Sequence, residues 1–156
     1  MFMFGLGKKT KNIALFVDGP NMIRKEFNID LQELRKIAEK YGRIIYGKVY
    51  LNQYASEKLI EAIANQGFEP KVVLAGETES DVDVSVAVEM VQASHDSRVD
   101  IIGLVSRDAD FLPALQVAKK MGKYVLVIGA ETGFSKALQH MADNVEILLK
   151  KNVRKT

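Results

Sequence analysis

Five aspartates and one asparagine in this chain are spaced for oxygen-donor chemistry. Asp18 follows the apolar run Ile13-Ala14-Leu15-Phe16-Val17, and Asn21 lies three residues beyond it. Asp81 and Asp83 open a helical stretch, and Asp108 and Asp110 follow a second apolar run, Ile101 to Val105. Like charges packed in one pocket repel and raise each other's pKa, and a divalent cation removes that cost. Carboxylates in that setting suit the hard ions Mg²⁺, Mn²⁺ or Ca²⁺. Each residue also has a structural alternative. Asp110 suits the N-cap of a helix starting at Phe111, with Pro113 tolerated in its first turn. Asp81 or Asp83 suits a cap in the same way, and Asp18 before Gly19-Pro20 suits a turn. Asn21 either closes an Asx-turn or offers an amide that orients water at a metal or contacts a phosphate oxygen.

The elements that must position these residues alternate between apolar runs and helical patterns. Ile13 to Val17 reads as a strand buried on both faces. Asp30 caps a helix with Leu31, Leu34, Ile37, Ala38 and Tyr41 on one face, and Gly42 stands where a C′ glycine belongs. Arg43 to Leu51 is a second strand, Ser56 to Gln66 a second helix stopped by Gly67, and Lys71 to Ala75 a third strand. Ile101 to Val105 and Tyr124 to Ile128 are further strands, flanking a helix over Phe111 to Met121. A short helix spans Ser135 to Met141, and Val145 to Leu148 makes a sixth strand. Residues 81 to 86 alternate Asp-Val-Asp-Val-Ser-Val, which favours a strand. The stretch to His95 is far longer than the usual strand of about 5–6 residues, which favours a helix. Strands spaced by helices imply βαβ units, right-handed crossovers and a parallel sheet. Such sheets bind ligands beyond the carboxyl ends of their strands, where strand order reverses. The acids concentrate there. Caps do not require every acid to share one sheet edge, so the placement favours an acidic Mg²⁺ or Mn²⁺ site.

Composition narrows the chemistry further. The chain has 156 residues, 47% hydrophobic and 27% charged, enough for one domain with a real core. It has no cysteine and two histidines, which excludes disulfides, thiolate catalysis and Cys- or His-rich zinc sites. The net charge of +2 is unevenly spread. Lys8, Lys9 and Lys11 at the start and Lys150, Lys151, Arg154 and Lys155 at the end leave fifteen bases against twenty acids between them. Basic tails (1–11 and 150–156) on an acidic globule (12–149) suit a polyanionic partner, or are simply solvated ends. The apolar start Met1-Phe2-Met3-Phe4-Gly5-Leu6 is shorter than a secretory h-region and its charges follow rather than precede it. No stretch approaches a transmembrane span, so no membrane partner and a cytoplasmic location are expected.

Asp18-Gly19-Pro20-Asn21 after the first strand resembles the opening motif of NYN-domain proteins, a branch of the PIN-like nuclease superfamily. Ser106-Arg107-Asp108-Ala109-Asp110-Phe111 resembles their second motif, S-G-D-x-D-F, with Arg107 in place of the glycine. Asp83 matches the aspartate of their K-G-x-D segment, although Ser80 and Asp81 replace the Lys and Gly. Ser135-x-x-Leu138 and Ala142-Asp143 are similar to the final motif. The match runs from about Asn12 to Leu148, and the LabA-like branch is the group it most resembles. The resemblance implies an α/β/α three-layer sandwich with a mainly parallel, Rossmann-like sheet of about five to six strands. It also implies Mg²⁺- or Mn²⁺-dependent cleavage of RNA.

The expected activity is therefore a metal-dependent ribonuclease. Asp18, Asp83, Asp108 and Asp110 hold one or two ions, with Asp81 an additional candidate ligand, Asn21 in the catalytic set, and water activated for attack on a phosphodiester. Arg107, Arg24 and Lys25 are candidate contacts to RNA phosphates, the RNA being single-stranded, with the tails adding sequence-independent attraction. The alternative is a non-catalytic module that binds RNA or protein on the same fold, and a homodimer is compatible with either. A haloacid-dehalogenase-type phosphatase needs an acid two residues after Asp18, where Pro20 stands.

Overall fold

The computed structural model describes residues 9–23, 29–76 and 80–148. Six strands form one sheet in the order β3-β2-β1-β4-β5-β6, and every pairing is parallel. The strands are β1 (Asn12–Asp18), β2 (Arg43–Asn52), β3 (Glu69–Val73), β4 (Ile101–Val105), β5 (Tyr124–Gly129) and β6 (Asn144–Ile147). The helices are α1 (Gly19–Met22), α2 (Leu31–Glu39), α3 (Glu57–Asn65), α4 (Ser80–Ser94), α5 (Leu112–Lys120) and α6 (Lys136–Met141). Two apolar layers sandwich the sheet. Ile13, Leu15 and Val17 of β1 face α2 and α3 through Leu34, Ile37 and Ile63. Ala14 and Phe16 face the other way, toward Val82, Val86 and Met90 of α4 and Leu115 of α5. This two-sided burial is why β1 carries a continuous apolar run rather than an alternating one.

The chain steps outward from β1 to β2 and β3, then crosses α4 back to β4, which pairs with β1 on its other side. Strand order therefore reverses between β1 and β4, the position where open parallel sheets bind ligands. The alternating Asp-Val segment is helix α4, because its length lets Val82, Val86, Met90 and Ala93 share one buried stripe. Val84 and Val88 point outward and are 60% and 51% exposed.

Three local expectations are corrected. Gly42 is not a C′ glycine: α2 ends at Glu39 and Gly42 lacks a positive φ, unlike Gly67 (φ 84) and Gly122 (φ 81). Gly42 is required because a Cβ there would sit 2.2 Å from the Lys11 carbonyl oxygen. The third strand begins earlier than Lys71, at Glu69, and ends at Val73. Asp110 does not cap the helix that follows it. A 3₁₀ turn over Ala109–Phe111 intervenes, Asp108 caps that turn by accepting from the Asp110 N–H at 3.0 Å, and α5 starts at Leu112. No helix among the described residues is long and apolar enough to cross a membrane.

Candidate metal centre

Three elements deliver carboxylates to the β1/β4 switch point. Asp18 ends β1, Asp83 lies in the first turn of α4, and Asp108 and Asp110 lie in the 3₁₀ turn region after β4. Asp83, Asp108 and Asp110 each offer one carboxylate oxygen, and these three atoms lie within 4.8 Å of one another. Asp83 and Asp108 are half-buried and Asp110 is exposed, so the group opens to solvent.

Asp18 is not one of the three whose oxygens gather, but it is buried close enough to Asp83 and Asp108 to feel their charge. Its side chain is 1% exposed. One oxygen, Oδ2, accepts a hydrogen bond from Ser106 Oγ at 3.0 Å, while Oδ1 is buried with no hydrogen-bond partner. Asp18 precedes α1 and makes no well-formed cap hydrogen bond there, although the Asn21 backbone N–H lies near enough to favour its charged form. Burial, then the neighbouring charge of Asp83, push its pKa from 3.8 up to about 7, and Asp108 adds to the effect. The Ser106 hydroxyl offsets part of this rise. A buried carboxylate oxygen without a donor is costly unless a cation satisfies it.

The donor set fits a hard divalent cation. It is all oxygen and anionic, and Asp18, outside the three whose oxygens gather, adds nearby a buried oxygen with no hydrogen-bond partner. Asp108 both caps its turn and contributes to the cluster, whereas Asp110 is released from capping and contributes to the cluster alone. Asp81 is turned elsewhere: its Oδ2 accepts from the Gly76 N–H at 2.6 Å.

Asn21 and Arg107 form a unit at the rim. The Asn21 Oδ1 accepts from the Arg107 backbone N–H at 3.1 Å and from Arg107 Nε at 3.2 Å. The Arg107 guanidinium also donates to the Asn21 carbonyl at 2.6 Å and to the Thr132 carbonyl at 2.8 Å. Asn21 therefore directs its side-chain oxygen to Arg107 rather than toward Asp18. Arg107 ties the loops after β1, β4 and β5 together instead of extending into solvent for a phosphate. The guanidinium supplies donors to main-chain carbonyls that a glycine at this position has no side chain to reach. Arg24 and Lys25 lie outside the described residues.

Sequence reasoning missed Ser106 as a site residue. It is fully buried, donates to Asp18 and accepts from the Asp108 N–H at 3.2 Å, so one hydroxyl joins the two acidic elements. Its signal was its place between a buried strand and the Asp-x-Asp pair. Ser135 and Asp143 of the final motif are structural. Ser135 caps α6 through the Leu138 N–H, and Asp143 accepts from the Val125 N–H at 2.8 Å and pairs with Lys119 at 3.3 Å. Of the basic tails, only Lys9 and Lys11 are described, and they enter at the opposite edge of the sheet, where β1 begins.

The chain is 56% identical over 138 residues to an uncharacterized protein of Methanocaldococcus jannaschii, an alignment covering 88% of this chain and 55% of that protein. It thus spans about half the length of that relative. A solved structure of a protein of unknown function from Vibrio parahaemolyticus superposes with a TM-score of 0.77 at 24% identity, covering 88% of this chain and 93% of that one, and shares the fold. The NYN domain model matches residues 12–149. With the family's acidic positions gathered at one sheet edge and its model spanning nearly the whole chain, the protein belongs to the NYN-domain family of the PIN-like superfamily.

Proposed function

We propose that this protein is a Mg²⁺- or Mn²⁺-dependent ribonuclease that hydrolyses phosphodiesters of single-stranded RNA. The observation that carries the reading is the convergence of Asp83, Asp108 and Asp110, with Asp18 nearby, its Oδ1 buried and unpartnered. Family membership supports the same reaction class. A bound Mg²⁺ or Mn²⁺ supplies Lewis-acid activation of water and neutralises charge on the phosphodiester.

The chain's own residues hold and shape the site. Asp18, Asp83, Asp108 and Asp110 are the proposed ligands. Ser106 fixes the rotamer of Asp18 and the turn that presents Asp108. Asp81 acts by tying the start of α4 to Gly76. Arg107 holds Asn21 and the Thr132 carbonyl in place, so the rim keeps its form when substrate enters. Arg24 and Lys25 remain proposed phosphate contacts, and the tails add attraction that carries no sequence information.

The test is cleavage of a labelled single-stranded RNA with EDTA, Mg²⁺ or Mn²⁺, for wild type and for Asp110→Asn. Metal-dependent cleavage lost in Asp110→Asn supports the reading. Binding without cleavage under any divalent ion replaces it with a non-catalytic RNA-binding module.

A further inference from the structure

Tyr54 is 82% exposed on the turn after β2, and a single exposed aromatic by itself means little. This ring, however, borders a groove of about 480 Å³ with mainly apolar walls from Pro20, Ile23, Leu51, Ala55 and Leu59, to which Gly19, Asn52 and Ser56 add. Gly19 and Pro20 form part of its wall, so the groove opens at the carboxyl ends of β1 and β2, the same end of the sheet as the carboxylates, on the face covered by α3. No charged side chain among the described residues lines it.

The turn that presents the ring is built in advance. The Asn52 Oδ1 accepts from the Tyr54 N–H at 2.9 Å, and the Ala55 N–H donates to the Asn52 carbonyl at 3.2 Å. Ser56 then caps α3 by accepting from the Leu59 N–H. Little ordering is left for a ligand to impose, and preordered aromatic surface binds with less entropic cost.

We infer that this groove is a nucleobase subsite: it receives one unstacked base of the RNA strand, against Tyr54, beside the phosphodiester at the carboxylates. The inference rests on the ribonuclease reading and extends it to how the strand is seated. The apolar part of the wall and its aromatic edge offer a flat neutral ring a stacking partner, and Asn52 and Ser56 offer polar groups to its edge. Bases are free to enter such a slot when the strand is single, because a duplex keeps them paired and stacked.

The test is binding of a short labelled single-stranded RNA in EDTA to wild type, Tyr54→Ala and Tyr54→Phe, followed by a scan with one abasic position at a time. Loss of one stacked base weakens binding about tenfold or more. Tyr54→Ala should show that loss, and Tyr54→Phe should retain wild-type affinity. One abasic position should reproduce the loss in wild type and add nothing in Tyr54→Ala. Wild-type binding that Tyr54→Ala matches, or that no single abasic position changes, overturns the subsite and leaves the ribonuclease reading standing. Wild type that neither binds nor cleaves RNA overturns the ribonuclease reading and the subsite with it.

Discussion

Replacing Asp18 with asparagine should stabilise the metal-free protein at alkaline pH while weakening its response to metal. The Asp18 carboxyl is buried beside Asp83 and Asp108 and titrates near 7 rather than 3.8. Between those values the folded chain keeps a proton that the unfolded chain has released. The free energy of unfolding therefore falls as pH rises, by about 1.4 kcal/mol per pH unit. Across the whole interval this reaches about 4 kcal/mol, all of it lost once pH exceeds the folded value. Asparagine keeps an oxygen for the Ser106 hydroxyl and has no charge to desolvate. Glu89 does not confuse the window. Burial raises its pKa, but hydrogen bonds from Lys48 and Lys71 outweigh burial and lower it, so its contribution is lost only below its ordinary value of 4.5. Urea unfolding in EDTA at about pH 5 and about pH 8 measures the effect. Wild type should be less stable at the higher pH, Asp18→Asn should not, and added Mn²⁺ should restore wild type more than the variant. Wild-type stability that is flat or rising across this range, with Asp18→Asn no more stable at the upper end, would refute the assigned environment of Asp18.

Other consequences follow from the same geometry. Asp108→Asn should keep its cap, since asparagine caps about as well as aspartate, yet lose at least the 10–100-fold in metal affinity or activity typical of a supporting partner. A Mn²⁺ titration followed by thermal melting measures it. Arg107→Ala should cost about 0.5–1.5 kcal/mol for each hydrogen bond lost to the Asn21 and Thr132 carbonyls, with partial recovery in Arg107→Lys, measured by chemical unfolding. Gly19→Ala places a Cβ 2.1 Å from the Tyr50 carbonyl oxygen and should destabilise by about 1–3 kcal/mol or displace α1, visible as a lowered midpoint. Deleting residues 1–11 and 150–156 should flatten the salt dependence of RNA binding, by about 0.7 in log–log slope for each phosphate that the tails no longer neutralise.

The fold was legible where one physical requirement dominated. The run Ile13 to Val17 had to be a doubly buried strand, and the helices between strands had to make a parallel sheet reversing at β1 and β4. The acids at strand ends were legible for the same reason, since topology carries them to one edge. What stayed hidden depended on side-chain partners distant in sequence. Asp108 rather than Asp110 became the cap because a 3₁₀ turn starts two residues before Phe111. Arg107 looked free for phosphate because its acceptors, Asn21 and Thr132, lie in other loops. Gly42 resembled a helix stop, but the approach of the Lys11 carbonyl dictates it. The Glu89 ion pairs with Lys48 and Lys71 join α4 to β2 and β3, and no local pattern announces them. The groove beside Tyr54 needed the turn after β2 to be folded against Gly19-Pro20 before its shape existed.

The central claim is that Asp18, Asp83, Asp108 and Asp110 form one divalent-cation site. Anomalous diffraction from a crystal soaked in Mn²⁺ tests it most directly. The account predicts a Mn²⁺ peak among these four carboxylates, coordinated by Asp18 Oδ1. Carboxylates that stay empty in a well-ordered, Mn²⁺-soaked crystal, with Asp18 still unpartnered, would contradict it.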